Sequence, residues 1–101
     1  MPLTTSYNKY LLKRLKDPQM AAAYLDAALR ADEPAIFLKA LRKVAEANGN
    51  IAKLSRKAKV SRVGIYKALS ERGNPGLKTV GNLLSAFHLR LAIRPEQTAH
   101  R

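Results

Sequence analysis

The stretch NIAKLSRKAKVSRVGIYKALS, Asn50 to Ser70, decides the fold, because it divides into two short amphipathic helices around a tight turn. In its first half Ile51, Leu54, Ser55 and Ala58 stand at i, i+3, i+4 and i+7 and form an inward stripe, while Lys53, Arg56 and Lys57 face out. Val60 fills the corner. Ser61 is a good N-cap for the second helix, whose Ile65, Ala68 and Leu69 point to the core and leave Val63, Tyr66, Lys67 and Ser70 on the opposite arc. Such a helix-turn-helix offers that arc to the major groove of DNA.

Outward from this unit the chain reads as helical almost throughout. Residues 1–16 form a frayed N-terminal arm, residues 17–94 a single domain containing the unit at 50–70, and residues 95–101 a tail. Asp17 caps and Pro18 opens a helix to about Arg30 with Leu25, Ala28 and Leu29 on one side. Asp32 caps the next, opened near Pro34, in which Phe37, Leu38, Leu41, Val44 and Ala45 form the apolar stripe and Lys39, Arg42, Lys43 and Glu46 stay wet. Asn48-Gly49 ends it through a left-handed residue. After the loop ERGNPGL a fifth helix starts near Lys78 or Thr79 and buries Val80, Leu83, Leu84 and Phe87.

Beyond His88, the alternation of Leu89, Leu91 and Ile93 with Arg90, Ala92 and Arg94 signals a strand closed by Pro95. A lone strand leaves its backbone groups unpaired, so Leu89, Leu91 and Ile93 are read as a dimerisation edge; the other reading extends or frays the fifth helix. A two-fold dimer would place two recognition helices on a palindrome with half-sites near one helical turn apart.

The 101 residues carry 19 Lys and Arg against 7 Asp and Glu, a net charge of +12. The excess is uneven. Residues 1–48 hold 8 basic and 5 acidic side chains, residues 49–101 hold 11 and 2, so the basic half is the half with the two-helix unit. Counterion release lets such a surface bind phosphate backbones whatever their sequence. The chain has no cysteine, which excludes disulfides and thiolate-bound zinc and suits a reducing cytoplasm. No stretch approaches the ~20 apolar residues of a membrane span, and the basic amphipathic segment with Tyr7, Tyr10, Leu11, Leu12 and Leu15 is short for an interfacial anchor, so no membrane partner is expected.

Catalytic readings fall away one by one. RGNPGLKT resembles a phosphate-binding loop, but GxxxxGK[ST] needs glycine directly before the lysine, and here Leu77 precedes Lys78-Thr79. His88 and His100 are the only histidines and are far apart, so neither a metal site nor a cofactor is expected. Asp17, Asp32 and Glu33 occur where helix N-termini favour negative charge, which accounts for them without catalysis. The expectation is a binding protein and not an enzyme.

The segments AAYLDAAL, FLKALRKVAEANGNIAKLS and VSRVGIYKALSERGNPGLKTVGNLLSAFHLRL, within Ala23 to Leu91, resemble the addiction-module antidote proteins, the antitoxin half of bacterial toxin-antitoxin pairs, with a Cro/cI-like helix-turn-helix domain. The most specific piece is IYKALSERGNP, Ile65 to Pro75, followed by a helix opened by Thr79. The elements read along the chain make an all-α fold of five helices with a short C-terminal β-strand. The resemblance implies neutralisation of a RelE/ParE-like toxin and repression of the operon encoding both proteins. Two positions depart from the helix-turn-helix pattern: Ser55 stands where a small Ala is usual and Lys59 where the turn carries Gly. Ser55 fits sterically and can bond back to its own helix, and Lys59 in a left-handed conformation costs about 1 kcal/mol relative to Gly. Gly64 inside the recognition helix lowers its intrinsic stability by about 0.8 to 1 kcal/mol and would permit close backbone approach to DNA.

Ser61, Arg62, Val63, Tyr66 and Lys67 are the expected DNA contacts, with Arg62 the chief base reader because its guanidinium can take guanine N7 and O6 together. Tyr66 and Lys67 suit the backbone, and Asn50, Lys53, Lys57, Lys78 and Thr79 are secondary phosphate contacts. Tyr7, Tyr10, Leu11 and Tyr24, with Leu12, are the expected toxin surface, the alternative being that they cover the domain's own core. A free-standing repressor and a non-specific basic nucleoid protein are the other functional readings.

Overall fold

Three helices, each beginning at a proline, precede the two-helix unit in the computed structural model, which describes residues 2–96. They are α1 (Pro2–Leu15), α2 (Pro18–Arg30) and α3 (Pro34–Ala47); α4 (Ile51–Ala58), α5 (Arg62–Ala68) and α6 (Leu77–Ala86) follow. Proline fits a first helical turn because it lacks an N–H that would have no partner there. His100 and the rest of the expected tail beyond residue 96 lie outside the described residues. No helix among the described residues is long and apolar enough to cross a membrane.

The chain is all-α with six helices, not five, and the expected C-terminal strand is absent among the described residues. The extra helix is α1, where a frayed arm was expected. Alone, a helix of this length is marginal in water; here Leu15 is buried, Leu11 and Leu12 pack against the core, and the segment lies on α2 and α3. Lys43 Nζ of α3 donates to Asn8 Oδ1, tying the two helices together.

The strand fails for a local reason. His88 adopts φ 66 just after α6, its N–H donating to Ser85 O at 3.0 Å while the Leu89 N–H donates to Leu84 O at 2.8 Å. This Schellman pair closes the helix and turns Leu89 back onto the core. Leu91 and Ile93 continue as irregular chain with exposed side chains, Ile93 at 99 %. Among the described residues no second strand is present for the period-two pattern to pair with, and Leu89 is held against the core instead.

Leu41, Val44, Ile65 and Leu83 are the largest fully buried side chains and join α3, α5 and α6. Each is worth roughly 1.5–3 kcal/mol of burial. α2 packs on α3, and α4 packs on both α5 and α6. Asp17 caps α2 as expected, accepting from the Gln19 N–H at 3.0 Å. Asp32 does not cap α3. It adopts φ 60 at the end of α2, and Glu33 takes the N-cap place without a side-chain cap bond. Of the expected apolar side of α2, Leu25 is buried and Ala28 packs against the core, but Leu29 is 51 % exposed, and Ala21 is buried in addition.

Candidate nucleic-acid interface

The α4–α5 unit has the inward and outward faces that its spacing predicts. Leu54, Ala58, Ile65, Ala68 and Leu69 are buried, Val60 is half-buried at the corner, and Lys53, Arg56 and Lys57 are exposed. Lys59 ends α4 at φ 57 and ψ 39, in the left-handed region that the turn requires. Ser55 does not bond back to its own helix. Its hydroxyl donates across the turn to Val60 O at 2.6 Å, and the Val60 N–H donates to Ser55 O at 3.3 Å, so Ser55 clasps the turn from both directions.

α5 is held at both ends. At its start the Ser61 Oγ accepts from the Gly64 N–H at 2.9 Å, which satisfies one of the helix's unpaired donors. At its end Arg42 of α3 donates from one guanidinium nitrogen to Leu69 O at 3.0 Å and Ser70 O at 3.2 Å. A cation is favoured at a helix C-terminus, where carbonyls lack intrahelical partners. Arg42 is therefore not a wet residue of α3 but the brace of the following unit, and sequence spacing offers no signal for a bond 27 residues away.

Two glycines shape this region by close contact. A Cβ on Gly64 would stand 3.0 Å from Val60 Cγ1 and 3.1 Å from Ser61 Oγ. A Cβ on Gly73 would meet Ala68 O at 2.3 Å and Lys67 O at 2.7 Å, so the loop tucks under the end of α5 only because residue 73 has no side chain. The sequence marks this loop as glycine-rich without distinguishing Gly73.

Arg62, Val63, Tyr66 and Lys67 lie together on the exposed arc of α5, Val63 at 76 % and Tyr66 at 62 % exposure. Ser61 stands exposed at the helix mouth, its oxygen occupied as the cap. Among the secondary positions, Lys53, Lys57 and Lys78 are exposed and Thr79 half-buried at the start of α6. The Asn50 Oδ1 is taken by the Lys53 N–H at 3.1 Å, which leaves its amide NH2 as the donor that could reach a phosphate.

The other expected surfaces divide. Tyr7 and Tyr10 are exposed on α1, with Arg14 over the Tyr10 ring at 5.5 Å and donating to its hydroxyl at 3.3 Å. Leu11 and Tyr24 are half-buried against the core. Burial pushes the Tyr24 phenol up from its ordinary value of 10.0, with a smaller push from Tyr7. Of the expected dimer edge, Leu89 packs on the core while Leu91 and Ile93 are exposed.

The profile of a family described as "Probable addiction module antidote protein" matches residues 6–95. An uncharacterized protein of Haemophilus influenzae is 37 % identical over 76 residues, covering 75 % of this chain and 77 % of that one. No solved structure matches. The family match spans all six helices, from within α1 to beyond α6, and includes the braced α4–α5 unit and its loop. The chain belongs to the family of probable addiction-module antidote proteins, the antitoxin side of an addiction module.

Proposed function

We propose that this antitoxin binds and neutralises a RelE/ParE-like toxin and represses its own operon, reading operator DNA in the cytoplasm with α5 as the recognition helix of a helix-turn-helix. The observation that carries the DNA reading is the arc of Arg62, Val63, Tyr66 and Lys67 on a helix braced at both ends by Ser61 and Arg42. A guanidinium there can grip guanine, a valine can pack on a thymine methyl, and the exposed Lys53, Lys57 and Lys78 can follow the phosphates. Two copies related by a two-fold axis would read a palindromic operator. The protein works by binding, without a cofactor of its own.

Footprinting on the promoter of its own operon tests the reading. Arg62→Ala should relax discrimination at one base pair by about 1 to 3 kcal/mol, whereas Lys53→Ala should weaken all sequences alike and flatten the salt dependence. Equal loss on every sequence for Arg62→Ala would make the protein a general DNA binder. Toxin contact through α1 rests on Tyr7 and Tyr10, which are exposed. Their replacement by Ala, followed by co-purification with the product of the adjacent reading frame, tests it without removing the buried Leu15.

A further inference from the structure

The corner where α2 turns into α3 holds an apolar pocket of about 280 Å3 that the DNA reading does not use. Leu29, Phe37, Pro75 and Val80 line it, and Asp32 and Glu33 stand with them. Leu29 is half exposed, although an apolar residue at this spacing on α2 would ordinarily be buried. The two carboxylates have lost the structural task that their place in the sequence suggests. Neither makes a cap bond to α3, and among the described residues neither is in an ion pair, in a chain with 19 Lys and Arg. Only a weak interaction with the α3 dipole remains to account for them.

An apolar floor beside two unpaired carboxylates is complementary to a long cationic side chain, which lays its methylenes on apolar surface and keeps its charged head at the polar edge. With a net charge of +12, most of the remaining surface repels a basic partner. A basic partner would therefore be drawn to the acidic rim of this pocket rather than to the cationic surface around it. We propose that this pocket docks a lysine- or arginine-bearing segment of the cognate toxin, its stem against Leu29, Phe37 and Val80 and its cation between Asp32 and Glu33. A second copy of this chain is the weaker fit, because its cationic face is the one that the DNA reading turns outward. The proposal rests on the antitoxin reading above and adds to it a surface separate from Tyr7 and Tyr10.

The test uses the full chain and the purified product of the adjacent reading frame, with affinity measured by calorimetry. The double variant Asp32→Asn/Glu33→Gln removes both charges and keeps the left-handed conformation at 32, which Asn tolerates. It should bind the toxin about tenfold more weakly, with an unchanged melting temperature and undiminished DNA affinity. Leu29→Ser should weaken binding several-fold by the same measurement. Unchanged affinity in both variants overturns the pocket while leaving the antitoxin reading intact. Failure of the wild-type protein to bind that product overturns the antitoxin reading and the pocket with it. A loss of self-association in the double variant with full toxin affinity would assign the pocket to a second copy and overturn the proposal.

Discussion

Val60 and Gly64 fit against each other at the corner of the two-helix unit, so closely that a Cβ at position 64 would lie 3.0 Å from Val60 Cγ1. The glycine that weakens α5 as an isolated helix is thus the residue that lets α5 seat against the turn. Close packing of the corner accounts for it without DNA.

Gly64→Ala should therefore destabilise the protein. Alanine returns about 0.8 to 1 kcal/mol of helix propensity, but overpacking typically costs 1–3 kcal/mol, so the expected net loss is about 1 kcal/mol in urea denaturation. Adding Val60→Ala should recover part of that loss, since the two sites share one contact. Strict additivity of the two substitutions would show that the corner is not what constrains Gly64.

Lys59→Gly acts in the opposite direction. The lysine stands at φ 57, where a side chain costs about 1 kcal/mol relative to glycine. The variant should gain up to about 1 kcal/mol, reduced by the larger entropy of the unfolded chain, and a thermal melt will read it. Its DNA affinity should fall only through the lost charge, an effect that vanishes at high salt.

Arg42→Ala removes the donor that holds Leu69 O and Ser70 O. Stability should drop by about 1 to 2 kcal/mol. Operator binding should fall further than stability alone accounts for, because α5 would lose its angle to the groove although Arg42 itself lies on α3. Hydrogen exchange focused on residues 62–70 will show whether the loosening is local.

The pH dependence of stability carries the mark of Tyr24. Its folded pKa is raised above 10.0 by burial first and Tyr7 second, so the fold favours the neutral phenol. The stabilisation is full below the unfolded pKa and is lost as pH rises through the folded one. Stability should accordingly fall in the alkaline range above about pH 10 more steeply in the wild type than in Tyr24→Phe, as measured by denaturant midpoints at successive pH values. Parallel curves for the two proteins would remove Tyr24 from the account.

The amphipathic stripes at 51–58 and 62–69 were legible because helical spacing alone divides their wet and dry faces. So were the Asp17 cap, the left-handed Lys59 and the Asn48-Gly49 stop, each a matter of two to five neighbouring residues. The same local logic misled at three places. The expected arm lacks a strong N-terminal signal, yet Pro2–Leu15 form a helix by packing on α2 and α3; the alternation after His88 has no strand to meet among the described residues; and Asp32 resembles a cap while ending the preceding helix.

The sequence by itself determined which residues turn inward in α3 to α6 and that the basic half of the chain coincides with the two-helix unit, because periodicity and charge are properties of the linear order. Tertiary structure alone decided that Arg42 braces α5, that Gly73 must lack a side chain, and that Asp32, Glu33 and Leu29 border one pocket with Pro75. These relationships join residues far apart in the chain, and their energies exist only once the helices have packed.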